Sequence, residues 1–233
     1  MCRLKFISQK GQDRWFVEEV LAAQEAAGAR KRSGYFLDLA ASDGVSMNNT
    51  LLLEREFGWT GVAIEADPTP FDHLRASRNC VCVQACVDEL PRMVEYLPTG
   101  NLGGIIAEDT DNSPAVRADL IEQWRSEGKV MEMQSSSLEW ILDRAGAPPV
   151  IDYFSFDVEG AETRIMRRFP FHRYRFDAIT VERPTPELNE LLFAHGYLFV
   201  RNAQFDTFYV HESLRGLQNI RREPFEQVPR KDW

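Results

Sequence analysis

The 233-residue chain lacks several things, and each lack excludes a class of function. No apolar run approaches the roughly 18 residues that span a bilayer, so no transmembrane helix is expected. The N-terminus, MCRLKFISQKGQDRW, has no apolar stretch and no small-residue cleavage site, and does not read as a secretory signal. Positive charge is in deficit: Lys and Arg number 27 against 36 Asp and Glu, for a formal net charge of -9. A field of that sign disfavours nucleic acid or anionic lipid as a partner. The densest basic group, Arg164, Arg167, Arg168, Arg173 and Arg175, reads as a solvated helix face.

Cysteine is also scarce, with Cys2, Cys80, Cys82 and Cys86 only. The last three alternate in NCVCVQACV, which reads as one strand with its thiols on one face. Two residues apart on one strand is poor disulfide geometry, and no His or Cys follows at zinc spacing. Buried free thiols are expected, which fits a reducing, cytoplasmic compartment. The four histidines, His73, His172, His195 and His211, do not directly follow core strands, and structural roles are expected for them. The three-glycine dinucleotide fingerprint G-x-G-x-x-G is missing as well.

What remains is an alternation of strands and helices in an ordinary globular composition. Helices are expected over 15–27 and over 46–57, the second ended by Gly58. A helix capped by Asp67 with Pro68 at its first position carries Phe71 and Leu74. Buried strands are expected over 36–41, 60–66, 79–87, 150–156 and 176–181, with shorter extended pieces over 93–97, 104–107 and 130–134. Ser136 and Glu139 form a capping box for a helix that stops at Gly146. Gly160, Ala161 and Glu162 open another helix, and Thr185-Pro186 caps one closed by Gly196. A hairpin over 197–200 and 207–210 precedes a charged tail after Arg221, expected to pack loosely. The pattern predicts one α/β domain over 1–233 with a mostly parallel sheet covered on both faces and a C-terminal antiparallel hairpin. It carries an N-terminal helical segment (1–33), a variable insertion (about 93–130) and the tail (221–233).

In such sheets ligands bind at the carboxyl ends of the strands. Those positions are rich in acids here: Asp38, Glu65, Asp88, Asp157 and Glu182. The first strand runs into FLDLAASDG, where Ala40, Ala41, Ser42 and Gly44 let a ligand approach the backbone. Asp38 and Asp43 would repel a pyrophosphate, so the loop suits a ligand with a cationic portion. Glu65 is placed to accept both ribose hydroxyls, and Asp88 an adenine amino group. Together these positions suit a nucleoside carrying positive charge.

The blocks SQKGQD, FLDLAASDGVSMNNTLLLE, GWTGVAIEADP and IDYFSFDVEGAE resemble the FkbM family of S-adenosylmethionine-dependent methyltransferases, over roughly residues 8–200. The resemblance implies a Rossmann-like methyltransferase fold and methyl transfer to a hydroxyl oxygen of a sugar, glycan or natural-product acceptor. It places Asp38 and Gly44 in the cofactor loop and Glu65 at the ribose site; Ala40, Ser42, Asp43, Asn49 and Asp88 are the further cofactor-binding candidates. It places Asp157 beside the transfer cleft, as base or hydroxyl-orienting group, with Glu159 and Glu182 as competitors. Asp157 and Glu159 could also hold Mg²⁺, but separate jobs and no metal are expected of them. Many related loops have glycine where this chain has Ala40, so a negative φ is expected there. The polar stretch 108–129, with a short helix over 118–125, is the expected acceptor-binding insertion. Its Trp124 either stacks on a sugar or anchors an oligomer, and a homodimer is left open. Two other readings stand beside this one: a nicotinamide-dependent oxidoreductase, and a binding module with the fold but no catalysis.

Overall fold

The structure is a computed structural model that describes residues 4–29 and 33–229. Cys2, the segment 30–32 and the tail end 230–233 lie outside the described residues. A seven-stranded sheet has the order β10-β11-β9-β8-β1-β2-β3. Its strands are β1 (Tyr35–Leu39), β2 (Thr60–Glu65), β3 (Val81–Gln84), β8 (Val150–Phe156), β9 (Arg175–Glu182), β10 (Tyr197–Ala203) and β11 (Asp206–His211). Pairing is parallel from β3 through β9, and β11 runs antiparallel between β9 and β10. The Rossmann-like architecture with its terminal hairpin is therefore as expected. The order in which strands are laid down along the sheet reverses between β1 and β8, and all five parallel strands open toward one rim.

One face of the sheet is covered by α6 (Leu138–Arg144), α7 (Glu162–Arg167) and α8 (Pro186–Ala194), which bury Ile141, Leu142, Ile165, Met166, Leu188 and Leu192. On the other face α1 (Gln12–Trp15) passes through a π-helical turn, Phe16–Leu21, into α2 (Ala22–Ala26). Trp15 stacks on Phe208 and Phe16 on Tyr153, each at 4.6 Å between ring centroids. Aromatic pairs of this kind contribute about 0.5–1.5 kcal/mol beyond their buried area. α3 (Leu51–Phe57), α4 (Pro68–Ser77) and α5 (Pro114–Ser126) complete the helices. Asp67 and Thr185 cap α4 and α8 through their side chains, each ahead of a proline in the first turn.

Four expectations need correction. The helix expected from residue 46 starts only at Leu51, because Asn48 and Thr50 turn inward to bond Asp38 instead of continuing a helical ladder. The strand expected over 79–87 breaks at Ala85. Its second part, β4 (Cys86–Val87), leaves to join a smaller sheet with β7 (Met131–Ser136), β5 (Met93–Leu97) and β6 (Gly104–Ile105). Cys86 thus packs with Val94, Tyr96 and Ile105, while Cys80 and Cys82 pack on the cluster of Phe71 and Leu74. All three are free thiols, but they do not share one face. The cap of α6 is Ser137, which accepts from the Trp140 N–H at 3.3 Å, so the Ser136–Glu139 box does not form. Lastly, the tail is mostly exposed as far as it is described, but it is tied down at several points. The Glu223 N–H donates to Val200 O at 2.8 Å, and Phe225 meets Phe193 and Phe199 edge-on.

Candidate active site

At the carboxyl rim a cleft of about 320 Å³ opens over β2, β1, β8 and β9. Asp38, Ala40, Ser42, Asn49, Glu65, Asp157, Glu159 and Glu182 all line it. These are eight of the eleven residues singled out from sequence. Asp43 and Gly44 do not reach it. Asp43 accepts from the Val45 and Ser46 N–H groups and the Ser46 hydroxyl, and so shapes the turn. Gly44, at φ +74°, packs against α4, where an added Cβ would lie 2.5 Å from the Leu74 side chain. Asp88 is also misread: it is fully buried, held by Arg164 at 3.0 Å and Arg92 at 2.7 Å, and faces guanidinium groups rather than the cleft.

In place of Asp88 the structure offers a narrow slit beside Glu65, lined by Ala66, Cys86, Val87, Tyr96 and Ile105. No sequence pattern pointed to it, because four of those residues come from the smaller sheet's strands and meet only in space.

Ala40 has φ +66°, contrary to the negative value expected. The chain must turn sharply after β1 so that the Ala41 N–H reaches Ile64 O and the Ser42 N–H reaches Glu65 Oε2, both at 2.9 Å. Six described non-glycine residues have positive φ, and five of them (Ala40, Ser42, Met47, Glu159 and Arg183) line this one cleft. Such conformations cost roughly 1–3 kcal/mol each and collect where function over-determines the backbone. That concentration marks the cleft independently of any motif.

The loop is held from below by Arg78, which sequence reasoning passed over. Its guanidinium donates to Glu54 Oε2 (3.0 Å), Gly44 O (3.2 Å), Asn48 Oδ1 (3.1 Å) and the Thr50 hydroxyl (3.0 Å). Asp38 accepts from Asn48 (2.8 Å) and Thr50 (2.7 Å), so its part in the loop is internal. Glu65 accepts from the N–H groups of Ser42 and Asp67. Withdrawal from water pushes its pKa up, against those two donors. The N-terminal block closes the mouth. Asp13 accepts from the Ile7 and Ser8 N–H groups, Gln12 donates to Asp206, and Gln9 and Gln12 line the cleft.

Asp157, Glu159 and Glu182 bring carboxylate oxygens within 4.8 Å of one another. Asp157 has its pKa pushed well above the carboxylate range by crowding among protein atoms, then by the charge of Glu182 and a hydrogen bond with it. Its own surface is open to the cleft. Solvent there offsets part of the crowding, and the repulsion from Glu182 is the firmer cause. Two like charges this close keep one proton between them.

Glu162, behind the cluster, is pushed up to about 8, chiefly by burial. Asp206 is pushed up to about 7 by burial and then by Glu182. Both folded values lie above the ordinary carboxylate values, so the unfolded chain releases these protons first. Their stabilisation is whole below about pH 4 and is lost as pH rises through 7 and 8. The melting temperature is therefore expected to fall between pH 5 and pH 8. Glu162→Gln should flatten that slope, stabilising the protein at pH 8 by up to about 5 kcal/mol relative to wild type. Equal slopes in the two proteins by calorimetry would refute the assignment.

The remaining candidates fall away from the cleft. Arg164, Arg167, Arg173 and Arg175 each pair with carboxylates. Trp124 lies under Lys129 and lines none of these cavities. His195 stacks on Phe171 and His211 bonds Ser213. No helix among the described residues is long and apolar enough to cross a membrane.

A family model described as the methyltransferase FkbM domain matches residues 38–206. No curated protein matches the chain significantly. Among solved structures, methyltransferase FkbM from Methylobacillus flagellatus is 12% identical with a TM-score of 0.44; the match covers 85% of this chain and 50% of that one. The METTL16 methyltransferase domain is 12% identical at 0.43, covering 88% and 69%. The N-terminal domain of human METTL16 in complex with SAH is 12% identical at 0.40, covering 85% and 68%. At these scores the structural likenesses add nothing to the family-model match.

Proposed function

The chain belongs to the methyltransferase FkbM family, and on that premise we propose that it transfers a methyl group from S-adenosylmethionine to a hydroxyl oxygen of a sugar, glycan or natural-product acceptor. The observation that carries this reading is the order of acids along one rim. Glu65 ends β2, Asp157 follows β8 and Glu182 ends β9, with Glu65 and Glu182 three strands, or about 14 Å, apart.

The residues fit the cofactor. The apolar slit of Ala66, Cys86, Val87 and Ile105 beside Tyr96 suits a flat base. Glu65 keeps lone pairs for ribose hydroxyls. Ala40, Ala41 and Ser42 leave room against the backbone. Asn49 donates to Ser155 at 2.9 Å, while its Oδ1 is buried, without a partner, on the cleft wall, and is free to accept from an ammonium. S-adenosylmethionine, when bound, supplies a methyl on positively charged sulfur, and S-adenosylhomocysteine is left neutral. The protein aligns the acceptor oxygen and takes its proton. The Asp157–Glu182 pair, holding one proton, has one basic oxygen for that task, and Glu159 adds negative charge that keeps it basic. The free thiols Cys80, Cys82 and Cys86 support a reducing, cytoplasmic setting.

Calorimetry with S-adenosylhomocysteine tests the reading. Wild type is expected to bind it, and Glu65→Gln to bind about 10- to 100-fold more weakly, the worth of hydrogen bonds to a charged acceptor. Titration with NADH should give no heat. Binding of NADH without binding of S-adenosylhomocysteine would restore the oxidoreductase reading.

A further inference from the structure

Beside the cofactor cleft lies a second cavity of about 720 Å³, and the two share Glu182 and Arg183 as a common wall. Its size suits a small-molecule site. The loop 108–116 forms one side, and the starts of α7 and α8 form the other. That loop is fixed to the catalytic turn, since the Asp111 N–H donates to Glu159 O at 3.0 Å. Gly160, at φ +92°, allows the contact, because a Cβ there would lie 2.6 Å from Asp111 N. Whatever fills the cavity therefore sits against Glu182, one member of the carboxyl pair.

The lining decides what that is. Among the described residues no aromatic ring reaches it, so a flat acceptor has no ring to stack on. Six carboxyl side chains line it against two arginines. Arg167 already donates to Glu187 at 2.8 and 3.0 Å, and Arg183 lies 3.7 Å from Glu182, so each arginine has a carboxylate beside it that offsets its pull on a phosphorylated acceptor. Glu162 is 3% exposed yet lines the cavity, and the side-chain hydrogen bond it receives from elsewhere comes from the Val158 N–H at 2.9 Å. It keeps acceptor capacity for a ligand donor. Hydroxyls and ammonium groups are the donors that match a surplus of carboxyls.

Building on the methyltransferase reading above, we infer that this second cavity is the acceptor subsite and that it takes a polyhydroxylated acceptor carrying a protonated amine. The acceptor hydroxyl lies at the Glu182 wall. Its oxygen bonds the methyl carbon as the carbon–sulfur bond breaks, the bonding electrons stay on sulfur, and the hydroxyl proton passes to the Asp157–Glu182 pair.

Saturation-transfer NMR on the intact protein with saturating S-adenosylhomocysteine tests this, using glucosamine, glucose and glucose 6-phosphate as probes. Glucosamine is expected to bind about tenfold more tightly than glucose, and glucose 6-phosphate more weakly than both. Glu108→Lys, an exposed change in the cavity wall, should weaken glucosamine about fivefold and leave S-adenosylhomocysteine affinity unchanged. The inference is overturned if glucose 6-phosphate binds as well as glucosamine, if glucosamine does not bind, or if Glu108→Lys leaves its affinity alone. Failure to bind S-adenosylhomocysteine would instead sink the methyltransferase reading itself.

Discussion

Asp157→Asn is expected to lower the rate of methyl transfer by about 10²- to 10⁴-fold while S-adenosylhomocysteine affinity changes less than threefold. The substitution keeps the shape of the side chain and removes one of the two carboxyls that hold the shared proton. Glu182→Gln should cost a similar factor, and the double variant little more than either alone, because the two act as a unit. The wild-type rate should rise with pH through a value well above the ordinary carboxylate range, and both single variants should lose that limb. The measurement is single-turnover transfer of labelled methyl across pH, with binding followed separately. A full rate in Asp157→Asn would remove it from the mechanism. Because Asp157 and Glu182 carry the proton and Glu159 supplies charge, added EDTA should leave the rate unchanged; a loss restored by Mg²⁺ would turn the cluster of Asp157, Glu159 and Glu182 into a metal site.

Arg78→Met should destabilise the fold by about 3–5 kcal/mol, the cost of stripping one partner from a buried ion pair. Arg78 is 6% exposed; its loss leaves the buried Glu54 carboxylate without its counter-ion and takes one donor each from the Thr50 and Asn48 oxygens. The same loop carries Ala40 and Ser42 in strained backbone, so cofactor affinity should fall with stability. Arg78→Met combined with Glu54→Gln should recover part of the loss, since the uncompensated charge is then gone. Denaturant unfolding of the three proteins reads this directly. A cost under 1 kcal/mol for Arg78→Met would mean that the network is not what holds the loop.

Local signals were reliable where one segment answers to one force. Apolar runs located β1, β2, β8 and β9, and Asp67-Pro68 and Thr185-Pro186 located two helix starts. Signals failed where a distant partner outbid the local preference. Asn48 and Thr50 sit in a helical pattern, but Asp38 takes their hydrogen bonds. Cys86 continues an alternating strand, but Ser135 of β7 captures its backbone. Asp88 stands at a strand end, where a ligand acid belongs, and two arginines neutralise it.

The sequence by itself determined the fold class, the acid at the end of β2, and the carboxyls after β8 and β9. Each follows from an apolar run and the residue that ends it. Only the tertiary structure decided the backbone at Ala40, the apolar slit, the Arg78 network and the second cavity. The reason is the same for all four. Each depends on atoms brought together from separate strands, where close approach and withdrawal from water set the energies, and no spacing along the chain records either.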